Sequence, residues 1–181
     1  VLMSRNQSKL NQVVKEIHAV GGQAIAIQGD ITHSKDLDRV FQNIKEKYGK
    51  LHILCQNAGI FPHAPIEIMS QEMWNHVINT NLTGSFISAQ KAIPLMKNSQ
   101  DARIIFISSI SGNQTGYMEL SAYTASKAGL NGFIKTASLE LTKYGITVNA
   151  IEPGIINTPP IQTLPLKYKK KLIRMIPMKR F

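Results

Sequence analysis

Short, almost unbroken apolar runs that alternate with segments of helical period limit what this chain can fold into. The runs are Gln23 to Gln28, Leu51 to Cys55, Ala102 to Ile107 and Ile146 to Ile151, and Val1-Leu2-Met3-Ser4 reads as the end of another strand. Between them, apolar residues recur every three or four positions. Leu10, Val13, Val14 and Ile17 mark a helix from Gln7 to Val20 that stops at Gly21-Gly22. Leu37, Val40, Phe41 and Ile44 mark one that Ser34 caps and Tyr48-Gly49 ends. Ser70 begins a helix with Met73, Trp74, Val77 and Ile78, and a long helical pattern runs from Leu82 to Met96. A last stripe, Leu130, Phe133, Ile134, Ala137 and Leu141, extends to about Tyr144. Strands that are apolar throughout must be buried on both sides. The alternation therefore predicts a doubly wound α/β fold, a parallel sheet with helices on both faces and right-handed crossovers. No repeat or low-complexity linker divides the chain, so residues 1–181 are expected to form a single domain.

In such sheets ligands bind beyond the carboxyl ends of the strands. Polar or turn-forming residues follow those ends at Arg5, Asp30, Asn57, Ser109 and Pro153-Gly154. The segment Ser121-Ala122-Tyr123-Thr124-Ala125-Ser126-Lys127 adds a phenol and an ammonium one helical turn apart. Residues at i and i+4 share a helix face, and a cation so placed stabilises the phenolate form, bringing the phenol within reach of acid–base work. Taken alone, such a pair more often sits on a solvated helix.

Composition excludes several classes. No apolar run approaches a membrane span and the first thirty residues lack a signal-peptide pattern, so a reducing, cytoplasmic setting is expected. The single cysteine, Cys55, lies in an apolar run and reads as a small buried hydrophobe. The five histidines show no metal-ligand spacing, and no metal is expected. Net charge is +10, concentrated in Lys167, Lys169, Lys170, Lys171, Arg174, Lys179 and Arg180, with no acid after Pro153. This end can be a solvated helix face, a dock for an acidic protein or anionic substrate, or a nucleic-acid patch. The last is weakest, because aromatic interleaving stops at Tyr168.

Tyr123 to Lys127, with Asn57-Ala58-Gly59 and Asn81-Leu82-Thr83-Gly84 upstream and Pro153-Gly154 downstream, resembles the short-chain dehydrogenase/reductase family in order and spacing. The similarity is nearest to its acyl-carrier-protein ketoreductase-like branch. The resemblance implies a Rossmann-type sheet, and hydride transfer between a nicotinamide and a carbonyl or secondary alcohol. It implies Tyr123 as general acid, Lys127 as its electrostatic partner and ribose ligand, Asn81 as support for a proton-relay water, and a serine hydroxyl that holds the substrate oxygen. Ser109 fits the family spacing better than Ser108 or Ser111. Asp30 and Ile31 are expected beside the adenine, Asn57, Ala58 and Gly59 beside the adenosine ribose, and Pro153, Gly154, Ile155 and Thr158 around the nicotinamide carboxamide. Gln56 departs from the family's usual Asn. The residues after the first strand, Ser4-Arg5-Asn6, include no acid for a ribose 2′-hydroxyl, so NADP(H) is expected over NAD(H), with Ser4 and Arg5 at the 2′-phosphate.

The family's glycine-rich turn and last strand are not in this sequence, which reads as an internal fragment truncated at both ends. The missing strand would lie between those at Val1 and Leu51. The expected substrate is a 3-oxoacyl thioester, with an acidic acyl-carrier protein as possible partner and a homodimer or homotetramer at full length. The rival reading is a non-catalytic remnant or binding module unable to hold cofactor.

Overall fold

The computed structural model describes residues 1–97 and 99–181, and the side chains of all of these but Pro160. The elements in chain order are β1 (Leu2–Ser4), α1 (Gln7–Ala19), β2 (Ala26–Gln28), α2 (Ser34–Tyr48), β3 (Ile53–Gln56), α3 (Gln71–Ile78), α4 (Gly84–Met96), β4 (Arg103–Ile107), α5 (Ser121–Leu141), β5 (Thr147–Ile151), α6 (Pro159–Gln162) and α7 (Leu166–Met175). All strand pairing is parallel. β1 pairs with β2, and β3, β4 and β5 lie side by side in that order. The expected α/β class is what the structure shows, parallel strands flanked by helices. Among the described residues, β1 and β3 do not pair with each other.

Local chemistry fixes several helix ends. The Asn6 side chain accepts from the Lys9 N–H at 2.9 Å and caps α1, and Ser70 does the same for α3 through the Met73 N–H at 3.1 Å. α2 ends at Gly49, whose φ of 70° no β-carbon opposes. The expected cap at Ser34 is displaced by one residue. His33 occupies the cap position without a side-chain bond, Ser34 is the first helical residue, and Asp36 supplies the first-turn acid instead. Strand β2 is also shorter than the apolar run Gln23 to Gln28, because only Ala26–Gln28 has a neighbour to pair with.

The helices expected from Ser70 to Ile78 and from Leu82 to Met96 are one continuous run. A π-helical turn, Asn79–Thr83, joins α3 to α4. Such single turns admit one extra residue and re-aim side chains. Here the re-aimed residue is Asn81, which is fully buried.

The core lies between β3–β4–β5 and helices α2, α4 and α5. Phe106, Leu37, Met96, Ile104, Leu130 and Ile146 are its largest buried side chains. Each contributes roughly 1.5–3 kcal/mol by leaving water. Phe133 of α5 meets Phe106 edge-on at 5.8 Å, which fixes the rotation of α5 over β4.

The opposite face of this sheet is open. Ile53 is 57% and Ile151 53% exposed, and Cys55, between them in the face pattern, is exposed as well. Cys55 is therefore not the buried hydrophobe its apolar run suggests. Alternate residues of a strand face opposite sides, and only the side carrying Leu54 and Gln56 meets the helices.

Candidate active site

Helix α5 carries Tyr123 and Lys127, and its small residues let other elements approach closely. Tyr123 and Lys127 share one face, and the Lys127 ammonium lies 5.7 Å from the centre of the Tyr123 ring. Lys127 is only 4% exposed, and its Nζ donates to the Ile107 carbonyl at the end of β4, at 2.7 Å. An ammonium can donate three hydrogen bonds, and this is the only one Lys127 makes among the described residues, so two remain for other partners. Burial lowers its pKa from 10.5 to about 8, because taking the charged form out of water is costly.

The π turn brings Asn81 against both Tyr123-bearing helix and β3 loop. Its Oδ1 accepts from the Ile60 N–H at 2.8 Å, and its Nδ2 donates to the Ile60 carbonyl at 2.9 Å and to Ser126 Oγ at 3.0 Å. Ser126 Oγ in turn donates to the Tyr123 carbonyl at 2.7 Å. Asn57, Ala58 and Gly59 are exposed at the end of β3, with the Cβ position of Gly59 3.4 Å from Asn81 Oδ1 and 3.6 Å from Lys127 Nζ.

Ser109 is buried beyond β4 and caps the following 3-10 turn, Ile110–Gly112, by accepting from the Ser111 N–H at 3.1 Å. The turn rests directly on α5. A β-carbon at Gly112 would lie 2.8 Å from the Lys127 carbonyl carbon and 2.9 Å from its oxygen, so only glycine permits this approach. The neighbouring Ser108 Oγ is buried without a partner among the described residues. Pro153 joins the same cluster through its carbonyl, which accepts from the Ile110 N–H at 3.2 Å, and the Cβ position of Gly154 is 3.7 Å from Ile110 Cδ1. Asn81, Ser109, Tyr123, Lys127, Gly59 and Pro153-Gly154 are thus gathered at one end of β3–β4–β5. Ile155 is half-buried and Thr158 exposed at the start of α6, farther along the chain.

The remaining expected residues form a second group beyond β1 and β2. The Arg5 guanidinium is 4.0 Å from the Asp30 carboxylate, with side chains 66% and 22% exposed. Burial raises the Asp30 pKa, but hydrogen bonds from the Thr32 N–H and hydroxyl, with Arg5 and His33 nearby, outweigh it and leave the carboxyl below its ordinary value. Ser4 Oγ accepts from the Asn6 N–H at 3.3 Å. Ile31 is buried, packed against Gly84 at the start of α4.

Three further residues build the site: Ser126, which motif spacing does not single out, and Phe61 and Gly112, which begin two stretches, Phe61 to Ile68 and Gly112 to Leu120, that the sequence offers as pocket lining. Gly112 and Ser126 lie within recognisable stretches, but their contacts are with elements distant in sequence. The Phe61 ring meets Tyr123 edge-on at 6.1 Å, a relationship no periodicity encodes.

A parallel α/β fold with a buried lysine one turn from a tyrosine, beside an asparagine in a π-helical turn, defines a class. The short chain dehydrogenase family model matches residues 1–169, and the chain belongs to that family of oxidoreductases. A 3-oxoacyl-[acyl-carrier-protein] reductase of Synechocystis is 34% identical over 178 residues, covering 98% of this chain and 70% of that one. A reductase of the same description from Thermotoga maritima is 35% identical over 176 residues, covering 97% and 71%. The crystal structure of a 3-ketoacyl-ACP reductase from Sinorhizobium meliloti superposes with a TM-score of 0.83 at 34% identity, covering 86% of this chain and 62% of that one. The chain thus spans a little under two thirds of that solved protein and about 70% of the curated relatives.

Proposed function

We infer that this chain supplies the acid–base and cofactor-contacting residues of an NADP-dependent reductase of 3-oxoacyl thioesters. The observation that carries the reading is the Lys127 ammonium, buried beside Tyr123, anchored by one backbone carbonyl and keeping two N–H donors free. Tyr123 donates its phenolic proton to the carbonyl oxygen of the substrate, and Lys127 stabilises the phenolate that results. Ser109, at the end of β4, holds the same oxygen by a hydrogen bond. Asn81 fixes the loop at Ile60 and the turn at Tyr123, keeping the phenol and the ammonium in register.

The nicotinamide, when bound, supplies the hydride. The residues present fit it: the exposed backbone at Asn57, Ala58 and Gly59 opens toward Lys127, whose free donors suit ribose hydroxyls. Pro153 and Gly154, against Ile110, with Ile155 and Thr158 following in the chain, would hold the carboxamide. Arg5 is two-thirds exposed and, among the described residues, its guanidinium is held only by a long contact to Asp30, so it can turn to a 2′-phosphate, with Ser4 beside it. Asp30 and Ile31, beyond β2, are the residues that would meet the adenine.

Similarity to reductases of acyl-carrier-linked substrates supports a carrier-linked acyl chain. Charge agrees with it: Lys167, Lys170, Lys171 and Arg174 lie on the exposed side of α7, complementary to an acidic carrier protein. The exposed apolar residues of α4 and α5, Phe86 and Leu139 among them, suit helix-to-helix contact between copies of the chain. No helix among the described residues is long and apolar enough to cross a membrane.

Incubating the full-length protein with NADPH and a 3-oxobutanoyl thioester tests the reading. Stoichiometric loss of NADPH with appearance of the 3-hydroxy product is expected. No consumption with either nicotinamide cofactor, across acyl lengths, would overturn it in favour of a non-catalytic role.

A further inference from the structure

Two loops are joined to each other beside Tyr123, and their contacts are specific. The Ala64 N–H donates to the Glu119 carbonyl at 3.0 Å, joining the segment after β3 to the segment before α5. His63 Nδ1 lies 3.8 Å from Glu119 Oε2, reinforcing the same junction. Glu119 holds φ at +66°, a conformation that non-glycine residues rarely adopt and that persists where surrounding contacts impose it. Phe61, three residues before Ala64, is placed by this clasp. Its ring packs edge-on against His63 at 6.4 Å and against Tyr123 at 6.1 Å, yet it is 49% exposed. Large aromatic rings bury most of their surface when they serve packing alone. A half-exposed ring touching the phenol is instead a wall with one face open to an occupant. Lys127 lies on the same phenol ring at 5.7 Å, and the occupant's polar end must face the hydroxyl, so its apolar remainder is left to Phe61.

We propose that Phe61 is a specificity-determining residue: held against Tyr123 by the Ala64–Glu119 clasp, its ring packs the apolar substituent of the reacting carbonyl and favours long acyl chains over short ones. The proposal rests on the reductase reading and deepens it.

Its test compares kcat/KM of the full-length protein for 3-oxodecanoyl and 3-oxobutanoyl thioesters in wild type, Phe61→Ala and Phe61→Leu. The long-to-short ratio is expected to fall about tenfold in Phe61→Ala, the range for losing part of an apolar pocket. Phe61→Leu, which keeps an apolar wall, should retain most of it. An unchanged ratio in Phe61→Ala overturns the proposal. A second measurement does not depend on turnover: nitration of Tyr123 by tetranitromethane, mapped by peptide mass, with and without a saturated decanoyl thioester. The thioester should shield Tyr123 in wild type and not in Phe61→Ala. Equal shielding in both, or none in either, overturns the proposal. Shielding lost in Phe61→Ala, in a protein that reduces no thioester, upholds Phe61 as the apolar wall and sinks only the reductase reading.

Discussion

Asn81 and Ser126 are far apart in sequence, yet the amide of one donates to the hydroxyl of the other at 3.0 Å, in the interior, one residue before Lys127. With Ile60 on the other side of the amide, this single side chain ties the β3 loop, the π turn and α5 together. Replacing Asn81 by Ala leaves the half-buried Ile60 backbone groups and the buried Ser126 hydroxyl without that partner. A buried unsatisfied group costs about 1–3 kcal/mol, so Asn81→Ala is expected to lower unfolding free energy by at least roughly 2 kcal/mol. Urea denaturation of the variant and of Asn81→Asp would show it. A loss under half that size in Asn81→Ala would mean the bracket is not structural.

Gly112→Ala places a methyl group within 2.8 Å of the Lys127 backbone and of Asn131 Nδ2. The turn that carries Ser109 must then lift from α5. Overpacking of this kind costs roughly 1–3 kcal/mol. A lowered Tm is expected, together with slower turnover because Ser109 moves with the turn. An unchanged Tm would contradict the close approach.

Lys127 gives a pH signature with a definite sign. Burial takes its pKa from 10.5 down to about 8, so between these values the unfolded chain binds the proton and the folded chain tends to release it. Stability contributed by this group therefore rises with pH across that window, and the charged form is a burden below it. The whole effect is at most roughly 3 kcal/mol. Lys127→Met removes the titration. Its stability relative to wild type should be greatest near neutral pH and should decline as pH rises through the window. A difference constant with pH would show that Lys127 keeps an ordinary affinity for its proton.

Cofactor preference tests the other end of the molecule. Arg5 and Ser4 stand exposed after β1 with no acid beside them on that strand. Ser4→Asp with Arg5→Asp should lower the NADPH-to-NADH ratio of kcat/KM by tenfold or more, because an acid repels a 2′-phosphate and accepts from a 2′-hydroxyl. If the ratio does not move, neither residue meets the phosphate.

Much of this was legible in the sequence where a periodicity is local. The stripe along α5 and the one-turn spacing of Tyr123 and Lys127 follow from 3.6 residues per turn, and they place both groups correctly on one face. The Asn6 and Ser70 regions show side-chain capping because their partners are three residues away, whereas the shift from Ser34 to His33 turns on backbone geometry that the side chains do not announce. The π turn was not legible, since an altered hydrogen-bond step leaves no side-chain period of its own. Nor was the exposure of Cys55, because an apolar run does not say whether one or both faces of its strand are covered. The contacts of Phe61 and Gly112 are tertiary and became visible only with the fold.

The proposed function rests on the Tyr123 phenol giving its proton to the substrate carbonyl. The direct measurement is the turnover of a 3-oxoacyl thioester with NADPH by the full-length protein carrying Tyr123→Phe, which removes one oxygen and keeps the ring against Phe61. Removing a positioned general acid slows the reaction by roughly 10²–10⁴, and a loss of that size with little change in NADPH binding is the expected result. A Tyr123→Phe variant that turns over at the wild-type rate would contradict the account, because the proton would then come from elsewhere.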